Sequence, residues 1–220
     1  MIGFPPHTVE PLEIRAKLRG AIKNPPKLDG LLAALIAQYE DLEPPTCAED
    51  CVPIEIPLAR EPGGRFHLCS WPQCKVEIYE TRHKQRRPIV PEAQMFGTPK
   101  LRTINIATGL SKGFRIPYQI THLEDDEIVW WAMGDRALVE RFLGYCTHLG
   151  GNRGVGHGQV AKWTVTACEP WDGFPLRKGN QPLRALPADW PDVHDCDVAY
   201  VPITYPYWGT VPQVLCCVPY

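Results

Sequence analysis

Five glycines fall within nine residues of HLGGNRGVGHGQVAKW (148–163): Gly150, Gly151, Gly154, Gly156 and Gly158. Glycine loses more backbone entropy on folding than any other residue. Such a density is worth having where φ must be positive or another backbone must come close. The flanking segments narrow the possibilities. In GDRALVERFLGYCTHLG (134–150), Leu138, Phe142, Tyr145 and Leu149 repeat at helical spacing. Asp135 stands at the N-terminal end of this predicted helix, and Gly150 is placed to stop it. VAKWTVTAC (160–168) alternates, putting Ala161, Trp163, Val165 and Ala167 on one face of a strand. The loop therefore runs from helix to strand, the reverse of a dinucleotide fingerprint. Gly151 and Gly156 have Walker A spacing, but His157 and Gly158 occupy the Lys and Ser/Thr places. Nucleotide-binding loops of both kinds are thereby excluded. What remains is bare backbone whose N–H groups form an anion nest, with Arg153 to pair with a phosphate.

The rest of the pattern gives an α+β chain. LEIRAKLR (12–19) alternates, with Leu12, Ile14, Ala16 and Leu18 on one face. Leu28, Leu31, Leu32, Leu35, Ile36 and Tyr39 follow at helical spacing, with Asp29 as the cap and prolines 44 and 45 as the stop. VPIEIPL (52–58) alternates again, and its prolines suit an edge strand. KVEIYE (75–80) reads as a short strand entering a basic run, residues 96–120 as a turn-rich stretch, and IVWWAM (128–133) as a strand. A β-α-β-β-α-β order of this kind predicts a ferredoxin-like (RRM-like) sheet with helices on one face and the other face free. We read residues 1–220 as one domain, with a basic insertion at 60–100 and a Pro/aromatic-rich segment at 170–220 that packs on the core.

Charge is unevenly distributed. The chain carries −2 overall, yet residues 60–115 hold eleven Lys/Arg and four acids, a net +7 that leaves −9 for the remainder. A basic patch on an acidic body suits a nucleic-acid backbone. YETRHKQRRP (79–88) supplies Arg82, Lys84, Arg86 and Arg87 for phosphates, and Tyr79 and His83 for stacking on bases. Lys100, Arg102, Lys112 and Arg115 extend the patch, and Gly151, Arg153, Gly154, Gly156 and His157 complete the candidate RNA-binding set.

Other chemistries find little footing. The longest apolar run, LDGLLAALIA, is too short to span a bilayer, and MIGFPPHTVEP has no basic n-region or long apolar run. The expectation is no membrane association, a cytoplasmic location and reduced thiols for all nine cysteines. Cys47 and Cys51, or Cys69 and Cys74 with His67, are not spaced as a compact zinc motif, so no metal or other cofactor is assigned. Cys216–Cys217 is given no role. No nucleophile motif is present and no catalytic residue is assigned. His157 and His83 are the best-placed imidazoles for metal-independent RNA cleavage, the alternative activity.

A predicted ferredoxin-like core with LGGNRGVGHGQV (149–160) between its last helix and strand resembles the RAMP superfamily of CRISPR-associated proteins. The opening strand, the LDGLLAALIA helix, the basic insertion and the aromatic YPYW tail look like the subunit that caps the 5′ handle of the guide RNA in type IV CRISPR effector complexes. The resemblance implies a non-catalytic ribonucleoprotein subunit of antiviral defence. It would bind the 5′ handle of the CRISPR RNA and contact the backbone and large subunits. It would meet target DNA only indirectly or near the PAM. A basic β-hairpin thumb would lie at KVEIYETRHKQRRPIV (75–90), and target reading would belong to the guide.

Overall fold

A computed structural model describes residues 8–43, 54–86, 114–191, 193, 196–207 and 212–219, with residues 85, 86 and 114 described by backbone alone. The central sheet is antiparallel and has three strands. Strand β1 (Glu10–Leu18) lies in the middle, between β4 (Glu127–Gly134) and β5 (Val160–Ala167). Alternation explains this placement. Leu12, Ile14, Ala16 and Leu18 are each at most 3% exposed, and Ile128, Trp130 and Ala132 of β4 are fully buried beside them. Helix α1 (Leu28–Tyr39) and helix α2 (Arg136–Leu143) share this core through Leu28, Leu32, Ile36, Val139, Phe142 and Leu143. The chain is α+β, with antiparallel sheets.

Several expectations are corrected. Helix α2 spans eight residues and stops at Gly144, well before Gly150. Asp135 caps it by accepting the Leu138 N–H at 2.9 Å. Past the stop, Tyr145 is exposed while Leu149 is buried. Asp29 is no cap: it lies inside α1, fully buried, and accepts the Tyr207 hydroxyl at 2.5 Å. Residues 54–58 form no strand. Along the outer edge of β4, isolated bridges Leu58↔Gly134, Cys69↔Ala132 and Gln73↔Val129 run where an edge strand was expected. On the inner face of β5 Val165 is buried and Trp163 half-buried, while Ala161 and Ala167, at the two ends of that face, are exposed.

A second core gathers Phe66, Leu176, Ala185, Leu186, Val193, Ile203, Cys216 and Cys217. It packs on the sheet of β8 (Leu186–Pro187), β10 (Val214–Val218) and β9 (Asp197–Val201), in that order. Two short strands, β6 (Arg177–Lys178) and β7 (Gln181–Pro182), form a separate pair. Cys196 and Cys217 are joined as a disulfide, against the expectation of thiols throughout. The cause is register: Cys217 faces Val198, two residues beyond Cys196, which brings the two Cα atoms to 5.5 Å. Cys69, Cys74, Cys146, Cys168 and Cys216 are free thiols, and burial pushes Cys69 up to about 12. Among the described residues no three His, Cys, Asp or Glu side chains cluster as metal ligands. No helix among them is long and apolar enough to cross a membrane.

His67 lies where the two cores meet, 2% exposed and stacked on Tyr205. Burial, reinforced by the charges of Arg60 and Arg184, lowers its pKa to about 3. The unfolded chain takes up this proton near pH 6.5, the folded chain only near pH 3. The contribution, about 5 kcal/mol, is therefore complete above pH 6.5 and is lost as the pH falls toward 3. Urea unfolding of wild type and His67→Phe at pH 7, 5 and 4 measures it. The variant should lose less stability over that window; an unchanged acid slope would contradict the assignment.

Candidate nucleic-acid interface

Strands β2 (Val76–Arg86) and β3 (Phe114–Leu123) form a separate two-stranded antiparallel ribbon. β2 is longer than the short strand expected, and β3 replaces part of the turn-rich stretch. Pro117 is tolerated because each strand of a two-stranded ribbon has a free edge. Residues directly opposite in such a pair share a face. The register places Glu80 opposite Ile120, Arg82 opposite Tyr118 and Lys84 opposite Ile116 on one face. The other face carries Tyr79 opposite Thr121, Thr81 opposite Gln119, and His83 opposite Pro117. The base of the ribbon is tied to the β1–α1 connection. Ile22 and Thr121 exchange backbone hydrogen bonds of 2.9 and 2.8 Å, and Ile120 is buried there.

The glycine loop meets the same connection. The Gly151 N–H donates to the Lys23 carbonyl at 2.7 Å, and the Gly158 N–H to the Ala21 carbonyl at 2.9 Å. A Cβ on Gly150 would come 2.1 Å from the Lys23 oxygen, and one on Gly158 1.9 Å from the Leu149 oxygen. Both residues also have positive φ. Their absent side chains are thus required by the chain's own backbone. Gly154, inside a 3-10 turn at Arg153–Val155, and Gly156, which ends it, face open space. The N–H groups of Gly151, Val155, Gly156 and Gly158 are all bonded to carbonyls of the chain, which narrows the expected anion nest. The exposed crest is the run Arg153, Gly154, Val155 and Gly156.

His157 joins the loop to the ribbon. It is 6% exposed, its Nε2 lies 3.2 Å from the Tyr118 hydroxyl, and the two rings meet edge to face. Burial first, then the charge of Arg82, lowers its pKa, so the ring is neutral at pH 7. Lys23 Nζ lies 5.4 Å from the Tyr118 ring centroid. On the same face Glu80 takes Arg82 Nε at 2.8 Å and His122 Nε2 at 3.0 Å. These hydrogen bonds hold the Glu80 carboxyl at about 2.

The ribbon thus gathers Tyr79, Arg82, His83, Lys84 and Arg115, while Arg82 already has a carboxylate partner. Arg86 ends β2 opposite Phe114. Arg87, Lys100, Arg102 and Lys112 lie outside the described residues. Four neighbours were missed from sequence: Lys23, Glu80, Tyr118 and His122. The alternation Ile116, Tyr118, Ile120, His122 is the signal that would have placed the last two, had 114–123 been read as a strand.

Fold and site define an α+β protein of antiparallel sheets, with a basic ribbon seated against a glycine loop. Residues 73–219 match the family model described as CRISPR type IV associated protein Csf3. That is about two-thirds of the chain, and the chain belongs to this family. The match takes in the ribbon, the glycine loop and the C-terminal sheet. No curated protein matches the chain.

Proposed function

We propose that this type IV CRISPR-associated subunit binds and caps the 5′ handle of the guide RNA without cleaving it, within a ribonucleoprotein that pairs its guide with DNA. The observation that carries the reading is the seating of the basic ribbon on the glycine loop through Tyr118 and His157, inside the family-matched segment. Lys84, on the ribbon face that meets the loop, and the exposed Arg153 of that loop offer cations for a sugar–phosphate backbone. A RAMP-like, ferredoxin-like core is part of this reading. Its support is β1 between two antiparallel neighbours, one helix after β1 and one after β4, and a bridged segment on the far edge of β4. The acidic remainder suits contact with basic backbone and large subunits in the cytoplasm. Expression beside the genomic neighbours, followed by sequencing of the RNA in the purified particle, tests the reading. Short RNAs with a common 5′ repeat tag are expected. A monomer without RNA would overturn it.

One observation favours metal-independent endoribonuclease activity as the second reading. His157 feels the charges of Arg82, Glu80 and His122, so two imidazoles share the ribbon base, and Glu80 orients one of them. His83, the other imidazole chosen from sequence, lies on the opposite face beside Arg115. Precursor RNA incubated with the protein in a chelator separates the readings. Products ending in a 2′,3′-cyclic phosphate, lost in His122→Gln with RNA binding retained, would establish the enzyme. Bound, uncut RNA would establish the cap.

A further inference from the structure

The two faces of the ribbon differ in chemistry. On the face that meets the glycine loop, Glu80 partners Arg82 and His122, Tyr118 partners His157, and Ile120 is buried. The other face turns outward. Its Tyr79 ring is 65% exposed, and Thr81, His83, Gln119 and Arg115 are exposed with it. Arg115 lies 3.4 Å from His83 Nδ1, so a guanidinium stands beside the imidazole at one end. Between the rings stand Thr81 and Gln119, neutral groups that both donate and accept hydrogen bonds. The paired positions of this face, from Tyr79–Thr121 to His83–Pro117, include no carboxylate; the exposed Glu77 lies before them, at the register shift.

We propose that this outward face is a base-reading site for single-stranded RNA, with Tyr79 and His83 as two stacking platforms and Thr81 and Gln119 reading base edges between them. It rests on the RNA reading above and adds which face binds and what part of the RNA it holds. The chemistry favours bases over phosphates: two flat rings and neutral hydrogen-bonding groups complement π faces and base edges, whereas phosphate contacts need cations. The platforms are four positions apart along the strand, about 13 Å. Bases stacked in a helix are only about 3.4 Å apart along a strand, so the two that are held are not stacked neighbours. The strand must be unstacked across the ribbon, which a duplex cannot provide because its base faces are covered.

The test uses the full chain and a labelled, mixed-sequence RNA dodecamer, single-stranded or annealed to its complement, titrated over a range of salt. Tyr79→Ala and His83→Ala should each weaken single-strand binding about tenfold or more, with an unchanged salt slope, and Tyr79→Phe should restore it. Lys84→Ala should instead flatten the slope by about 0.7, one phosphate on a single strand. The duplex should bind less tightly. Unchanged affinity in both ring variants, or equal affinity for duplex, would overturn the inference and leave the RNA reading standing. So would Tyr79→Ala that keeps its RNA affinity but drops out of the assembled particle, since that assigns the face to a protein. A wild type that binds no RNA would overturn both.

Discussion

Arg184→Ala is expected to cost about 4 kcal/mol or more of folding stability, read as a lowered urea midpoint. Arg184 is fully buried with its guanidinium 4.5 Å from the Phe66 ring centroid. One terminal nitrogen donates to the carbonyls of His67 and Cys69, the other to that of Ile203. Cys69 belongs to the core of the central sheet and Ile203 to the C-terminal core, so one side chain clamps the two together. Truncation leaves the carbonyls of Cys69 and Ile203 without that donor, at about 1–3 kcal/mol each, besides a cavity, while the His67 carbonyl keeps the Cys69 N–H. It also strips the buried Asp29 of a nearby positive charge. Arg184→Met separates the causes. It fills much of the volume but pairs no carbonyl, so about 2 kcal/mol of loss should remain. A Met variant as stable as wild type would show that packing, and not the carbonyl bonds, accounts for the effect.

The second large effect divides the glycine loop. Gly158→Ala is expected to destabilise the chain by about 3 kcal/mol, while Gly154→Ala stays within about 0.5 kcal/mol of wild type. At Gly158 φ is +69°, where a side chain costs about 1–2 kcal/mol by itself. The added Cβ would also lie 1.9 Å from the Leu149 carbonyl oxygen, so backbone must move. That movement breaks the bonds from Leu149 N–H to Gly158 and from Gly158 N–H to Ala21. Gly154 has no atom within 4 Å of its would-be Cβ. Thermal or urea unfolding of the two variants decides the matter. Equal stabilities would contradict the packing role of Gly158. Because His157 is its neighbour and carries the Tyr118 contact, Gly158→Ala should also loosen RNA association.

Local periodicity was legible wherever an element has one wet face and one dry face. β1 reads straight from Leu12, Ile14, Ala16 and Leu18, and β4 from Ile128, Trp130 and Ala132. The ribbon was half legible. Its cations and its Tyr79 and His83 are visible in YETRHKQRRP, but the alternation of Ile116, Tyr118 and Ile120 in β3 was masked by Pro117 and by the glycines and scattered cations just before it, which read as turns. The α2 stop at Gly144 was missed because Leu149, beyond the helix, is buried by other contacts and mimics a continued stripe.

The sequence by itself determined which residues prefer a dry face, where the chain can turn and where positive charge accumulates, because these depend on neighbours a few residues away. Tertiary structure alone decided the partners. Asp29 meets Tyr207 across 178 residues, and the buried Arg184 meets the carbonyl of His67 across 117. Glu80 lies between Arg82 and His122, and Gly158 lies against Leu149 and Ala21. No spacing rule encodes such pairs. A buried charge or a close backbone approach is tolerable only once distant segments have been brought together to satisfy it.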